Sequence, residues 1–415
     1  MNQVFKQASF IQRVLVLSML LSVIATHHVW FSYSIDFPKI PLIPFLKFQF
    51  SEMIQMVLVV VMMASLLGLF IRVYSKIFLS LFLVSTLLLL AEDVNRLQPW
   101  LFIHGVMIVA LAMLHDKGLN LLRWGLVFMY AWAGINKLNL NFAWEVFPYF
   151  MKPFGVNEMF YHPSGDIGKY SMNGINHIAW IVPLVELLIA LFLLLEKWRT
   201  QGVLLALILH VIALYILGPF GHNWNSVVWI WNVELMLLVV GLFYQFKMPW
   251  SEFKAGLFNS KMGRAYFLLM GLAPLLWYFS IYPHVLSYHL YSGYNPQINF
   301  WFNDESSVKL KDEGDRITNI DFKGVSPKLL DTPWMDFTFY DVDRNESFIM
   351  ADHYAMQELN VPIMAETFYF KMLGAELCTC FGYAGDDAGI RIEERSKFSA
   401  KIIERTITCK ELLGK

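Results

Sequence analysis

The chain has 415 residues, of which 57% are apolar and only 16% charged, and its mean hydropathy is positive at +0.49. Soluble domains average about 25% charged residues, so this composition excludes a single water-soluble globule. The formal net charge of −1 hides an asymmetry: residues 1–300 carry 18 Lys+Arg against 12 Asp+Glu, and residues 301–415 carry 14 against 21. The two parts meet different surroundings, and no basic patch with interleaved aromatics offers nucleic acid a surface.

A bilayer core about 30 Å thick needs roughly 20 apolar residues in a helix, since lipid offers backbone groups no partner. Apolar runs predict about nine spans, near 11–31, 53–72, 77–92, 98–115, 120–139, 177–195, 201–219, 223–244 and 265–284. The third is short, and the eighth contains Asn223, Asn225, Asn232 and Glu234. The first follows Lys6 and Arg13 and reads as an uncleaved helix more than a signal peptide. Basic residues favour cytoplasmic loops. With the N-terminus in the cytoplasm, the loops 72–76, 116–123, 196–199 and 245–264 collect Lys and Arg on that side. Nine spans then leave the C-terminus outside. Between the fifth and sixth spans, residues 140–176 begin LNFAWEVFPYFMKPFG, aromatic and amphipathic. An interfacial helix is the favoured reading, and a re-entrant piece among the helices is the other.

The pattern changes near residue 291. NFWFND, ITNIDFKGV and MDFTFYDV alternate as strands, and FYDVDRNESFIM reads as a hairpin around Asp343–Asn345. ADHYAMQELNV and ETFYFKMLGAELCTCF have helical spacing, and GIRIEER and KIIERTITC read as closing strands. The expected fold is therefore mainly α: a polytopic transmembrane bundle over 1–285, with a small α+β or β-rich extracytoplasmic domain over 286–415. Its three cysteines, Cys378, Cys380 and Cys409, allow one bridge from the first pair to Cys409 in an oxidising compartment. Buried thiols are the alternative, and no spacing signals a metal site.

Ionisable groups inside a membrane are costly and usually functional. Lys137 closes the fifth span in YAWAGINKLN, after the small pair Ala133–Gly134. Partly removed from water, such an amine can act as a base; otherwise it snorkels to the headgroups. His104 in the fourth span is a candidate proton carrier or a helix–helix hydrogen-bond partner. His210 and Glu186 lie deeper and are expected to be paired. Asn223 and Trp224 open the stretch NWNSVVWIWN that leads to Glu234, a polar and aromatic helix end suited to a flat ligand or to anchoring. Arg96 with Glu92 and Asp93 forms a loop ion cluster, worth little if exposed.

AG at 133–134 with KL at 137–138, supported by RLQPW at 96–100, the His210 helix and HLYSGYNP at 289–296, resembles the vitamin K-dependent γ-carboxylase-like family, whose membrane region is also called the HTTM domain. The resemblance covers residues 5–285. It implies a reduced naphthoquinone as cosubstrate, with Lys137 as the base that deprotonates it. His104 would assist catalysis, and His210, Asn223 and Trp224 would hold the cofactor. Asn136 stands where the carboxylases have a second lysine, and Asn139 and Phe142 replace an acidic residue and a tryptophan. The tail is also far shorter than their substrate-binding region. The resemblance thus implies a membrane fold and a quinol-type pocket rather than glutamate carboxylation. The competing expectation is a membrane scaffold or peptide-maturation partner whose outer tail binds a peptide or protein. A bacterial inner membrane fits the orientation, with the endoplasmic reticulum as the alternative.

Overall fold

The computed structural model describes residues 3–31, 37–43, 49–156, 159, 174–223, 225–294, 296–303, 338–341, 346–397 and 402–414. The chain is mainly helical and divides into two compact units. One comprises Met1–Ala25, Leu58–Thr86 and Gln98–Tyr294; the other comprises Thr26–Val57, Leu87–Leu97 and Asn295–Lys415.

In the first unit, α1 (Gln3–Ala25) is followed by the short α2 (His27–Trp30), which counts with the second unit. Then come α3 (Glu52–Ile71) and α4 (Lys76–Glu92), whose residues 52–57 and 87–92 count with the second unit, and α5 (Pro99–Leu114) and α6 (Gly118–Lys137). After the short α7 (Phe147–Met151) follow α8 (Ile181–Leu194), α9 (Arg199–Leu217), α10 (Ser226–Phe243), α11 (Trp250–Phe258) and α12 (Lys261–Tyr266). The last helix continues to Phe279 through a π turn (Phe267–Leu272) and a 3-10 segment (Ala273–Phe279). Helices occupy all nine segments expected from the sequence. Six are long and apolar enough to cross a membrane: Gln3–Ala25, Glu52–Ile71, Asn176–Leu194, Glu196–Leu217, Ser226–Phe243 and Lys261–Phe279. By contrast α4 has 17 residues and α5 has 16, and α6 carries Asn120, Arg123, Asn136 and Lys137.

Burial separates inner from outer helices. Two-thirds of the apolar window of α1 is buried, against one-third in α8 and α9, so α1 lies inside while the other two show an apolar face outward. Leu184, Leu188, Leu191, Leu204, Ile208 and Val211 make up that face. Such contiguous exposed apolar surface suits lipid rather than water. Helix α6 packs on α8, α1 on α10 and α5, and α9 on both α8 and α10. Close contact of α6 and α8 needs Gly134: a Cβ there would come within 2.8 Å of Leu187 and 2.9 Å of the Pro183 carbonyl oxygen.

The segment after α6 differs from the favoured expectation of an interfacial helix. It starts as a π turn (Phe142–Val146) and runs into α7, with Phe142 and Ala143 fully buried and Phe147 nearly so, packed against Ala179, Trp180 and Val182. Asn139 sets this geometry. Its Oδ1 accepts from the Phe142 amide (2.9 Å), and its Nδ2 donates to the Asn136 and Ser292 carbonyls (both 2.7 Å).

The second unit carries an antiparallel sheet in the order β2-β3-β1-β4-β5. Its strands are β1 (Gln297–Phe302), β2 (Thr338–Asp341), β3 (Glu346–Met350), β4 (Ala388–Arg395) and β5 (Ile402–Thr408). The expected hairpin is β2–β3, with Asp341 opposite Glu346. Its tip at 342–345 and the expected strand ITNIDFKGV lie outside the described residues. Central β1 buries Phe300, Trp301 and Phe302. The two expected helices are α13 (Ala351–Leu359) and α14 (Thr367–Cys380), and α15 (Cys409–Leu412) closes the unit behind a Thr408–Glu411 capping box. Cys378 and Cys409 form a disulfide between α14 and α15, and Cys380 stands outside it.

The unit also takes in residues far upstream. Arg96, expected in a loop ion cluster with Glu92 and Asp93, is fully buried. It bonds Glu92 (2.8 Å) and the carbonyls of Leu89 (2.7 Å) and Val29 (3.0 Å). Asn95 accepts from the Tyr369 hydroxyl (2.5 Å). The cluster is a core element of the second unit rather than a weak surface contact.

Candidate functional site

Lys137 ends α6 and is only 7% exposed. Its Nζ lies 2.9 and 3.0 Å from the two carboxylate oxygens of Glu186 on α8 and 3.4 Å from the Ala133 carbonyl one turn back. The Gly134 contact makes this possible, because it brings α8 close enough for Glu186 to reach the amine. Lys137 therefore does not snorkel outward. It faces another helix as half of a buried pair, and removing either partner would strand the other charge.

Beside this pair lies a cavity of about 220 Å³. Its wall is mostly apolar, with Met129, Ala133, Val182, Leu209 and Ile216 among the lining residues and Phe147 and Phe150 contributed by the segment after α6. The polar groups in the wall are Lys137, Glu186, Tyr130, His210, Asn232, Tyr288 and Tyr291. A mostly apolar wall with a few convergent polar groups is the usual form of a small-molecule site. Burial pushes the phenols of Tyr288 and Tyr291 up, so both stay neutral near pH 7.

Across the cavity, His210 on α9 is held on both sides. Its Nδ1 lies 2.8 Å from Asn232 Oδ1 on α10, and its Nε2 lies 2.6 Å from the Tyr130 hydroxyl on α6. Three separate helices thus fix one imidazole.

The other expected site residues fall elsewhere. His104 does not line the cavity; it is buried between α1, α5 and α10, with Nε2 2.5 Å from Glu234 Oε2, which also accepts from Ser18 Oγ (2.7 Å). Asn223 is exposed, has φ 50°, donates its backbone amide to the Gly218 carbonyl (2.9 Å) and does not line the cavity. Trp224 lies outside the described residues. Asn136 clamps the end of α6: Nδ2 donates to the Ser287 carbonyl (2.7 Å), and Oδ1 accepts from the Tyr278 hydroxyl (3.0 Å). Tyr130 was missed by motif reading, although its position seven residues before Lys137 puts both on one face of α6. Among the described residues, no group of His, Cys, Asp and Glu is placed to hold a metal ion. No protein-family model, curated protein or solved structure matches the chain.

Proposed function

We propose that the protein is a membrane enzyme whose cavity binds a small ring-bearing hydroxyl compound of the reduced-naphthoquinone class, with Lys137 as base. The chain crosses the membrane nine times, starting in the cytoplasm and ending with the disulfide-bearing unit outside, in a bacterial inner membrane. One observation carries the reading: a buried amine, paired with a carboxylate, sits in the wall of an apolar cavity. Its volume of about 220 Å³ lies below the ~300–1,000 Å³ usual for drug-sized ligands and suits a compact ring headgroup.

The residues fit that group chemically. Phe147, Phe150 and the aliphatic wall take a flat apolar ring, and Lys137, Glu186 and Tyr130 present hydrogen-bonding atoms to a ring hydroxyl. When bound, a reduced naphthoquinone supplies an acidic hydroxyl and, with oxygen as co-reactant, reducing power. Lys137 Nζ takes the hydroxyl proton once it has given its own to Glu186. Glu186, then a neutral carboxylic acid, keeps its hydrogen-bond contact with the ammonium that forms, and the mostly apolar wall favours proton transfer from a weak acid. The Cys378–Cys409 bridge supports the outward placement, since disulfides persist in oxidising compartments.

A second reading keeps one observation in its favour. Strand β5 is an edge of the sheet with Ile402 and Ile403 exposed, a surface on which a peptide strand of a partner can pair. The test that separates them is consumption of menadiol by the purified protein. The enzyme reading expects turnover by wild type and none by Lys137→Ala; equal rates in the two would end the base assignment.

A further inference from the structure

We propose that the end of the helical bundle opposite Lys137 carries a binding site for a phosphate group, built on Arg123 and Arg199 and suited to the headgroup of an anionic phospholipid. The site is independent of the cavity: Arg123 and Lys137 both belong to α6 but are separated by about 21 Å of helix.

Two cations are buried here without a counter-ion. Arg123 is 4% exposed and Arg199 3%. Among the described residues neither forms an ion pair with a carboxylate, and the exposed Glu196 acts on Arg199 only at a distance. Both guanidinium groups lie over the ring of Phe246, with Cζ of Arg123 3.5 Å and Cζ of Arg199 5.0 Å from its centroid. Phe253 on α11 adds a second ring 5.4 Å from Arg199 Cζ. Aromatic faces attract cations, but they leave the positive charge in place.

Helix ends account for part of that charge. Arg123 Nε donates to the Leu242 carbonyl in the last turn of α10 (2.8 Å). Arg199 Nε donates to the Leu193 carbonyl in the last turn of α8 (3.1 Å), Nη1 to the Phe246 carbonyl (3.2 Å) and Nη2 to the Leu194 carbonyl (3.4 Å). A helix C-terminus is worth about half a negative charge, so two of them leave roughly one positive charge uncompensated. Arg199 has spent all three of its nitrogens on backbone. Arg123 has not: its Nη1 and Nη2 donate to nothing among the described residues, yet neither is sealed from solvent. An unspent planar fork on a nearly buried guanidinium is the group that recognises phosphate through paired hydrogen bonds.

The surroundings favour a headgroup over a soluble anion. Trp198 and Trp250 are both exposed, as are the apolar side chains of Leu195 and Tyr244 next to the two helix ends. Trp250 packs on Trp124, which stacks on Phe253, so indole surface stands beside the arginines. Tryptophan and tyrosine favour the depth of lipid headgroups. Lys197 lies over the Trp198 ring at 5.6 Å, and Lys247 is exposed one residue beyond Phe246; such cations draw anionic lipid to a surface. In the nine-span orientation proposed above, this end lies in the cytoplasmic leaflet.

The test follows ligand retention by the detergent-solubilised full chain in native mass spectrometry, with dioleoylphosphatidylglycerol, dioleoylphosphatidylcholine and inorganic phosphate as probes. Wild type is expected to retain phosphatidylglycerol in preference to phosphatidylcholine. Arg123→Gln is expected to weaken phosphatidylglycerol binding about fivefold, the worth of one cation beside a membrane surface, and Arg123→Lys, which keeps the charge but not the fork, by less. Equal retention of the two lipids by wild type, with no phosphate bound, overturns the site. So does an Arg123→Gln variant that stays helical by circular dichroism and keeps the full preference, since the exposed lysines would then carry it. Should Arg123→Gln lose its helicity, Gln245→Glu sets a carboxylate at the exposed position next to Phe246 in the chain and is expected to weaken the lipid likewise; no change there overturns the site. Displacement of the lipid by millimolar phosphate assigns the site to a free phosphate and survival of the lipid adduct to a headgroup, and either result upholds the phosphate chemistry.

Discussion

Two of the carboxylate–cation pairs buried among the described residues, one in each unit, are built differently. Arg96 and Glu92 sit four residues apart around the end of α4. Their spare hydrogen-bonding capacity goes to backbone: Arg96 to the Val29 and Leu89 carbonyls, and Glu92 to the Phe50 amide, with Lys39 at 3.6 Å. Lys137 and Glu186 come from different helices, have one backbone contact between them at 3.4 Å, and stand in a cavity wall. The first pair is locked in place by its surroundings and can only hold structure. The second keeps room beside it, so its protons can move. Both pairs are buried, and what sets the second apart is the free space next to it.

The largest expected effect tests the locked pair. Arg96→Met leaves buried Glu92 with the partly exposed Lys39 at 3.6 Å as its remaining cation and is expected to cost about 3–5 kcal/mol, read as a steep loss of thermal stability in detergent. Lys137→Met should cost less, because Glu186 can take up a proton beside the cavity. Equal losses in the two would erase the distinction. Next in size is the bridge in the second unit. Cys378→Ser with Cys409→Ser removes a cross-link spanning 31 residues and is expected to cost about 2–4 kcal/mol, with reductant lowering the wild-type melting temperature in parallel.

A pH series sharpens the same contrast. Desolvation raises Asp352 to about 7 from an ordinary value of 3.8, and an Ile363 backbone hydrogen bond only partly opposes it. Desolvation raises Asp93 as well, against the pull of Arg96. A raised folded-state value means that the folded form holds the proton more tightly than the unfolded chain. The stabilisation is complete below about pH 3.8 and is lost as pH rises through about 7. Denaturant unfolding of the wild type should therefore show falling stability over that window, with a shallower slope in Asp352→Asn. The smallest effect is expected at the exposed pair Lys410–Asp386, 3.0 Å apart, where solvent screens the attraction and Lys410→Ala should leave the melting temperature nearly unchanged. A larger loss would mean that surface pairs in this unit behave like buried ones.

Much of the architecture was legible along the chain because its causes are local. Apolar runs marked the helices of the bundle, six of which, among the described residues, are long and apolar enough to cross a membrane. Alternation and turn residues marked the β2–β3 hairpin, both helices between the strands, and the β4–β5 pair. Lys137 stood out as a charge at the end of an apolar run. What the helices do with their polar groups was not legible. The sequence placed His104 with Lys137, yet His104 pairs with Glu234, 130 residues away in the chain, and Ser18 joins them. Asn223, expected among the ligand-binding groups, does not line the cavity. Residues 26–57 and 87–97 belong with the C-terminal unit, which no linear boundary at 285 could show.

The sequence by itself determined that this is a membrane-type helical chain with a separate β-containing end, because hydropathy and periodicity depend on near neighbours. Only the tertiary structure decided which charges meet, since Lys137 and Glu186 are 49 residues apart and their contact depends on how closely two helices can pack at one glycine. The same packing leaves a space beside one pair and closes it around the other. That difference is a property of assembled surfaces and is not carried by any single segment.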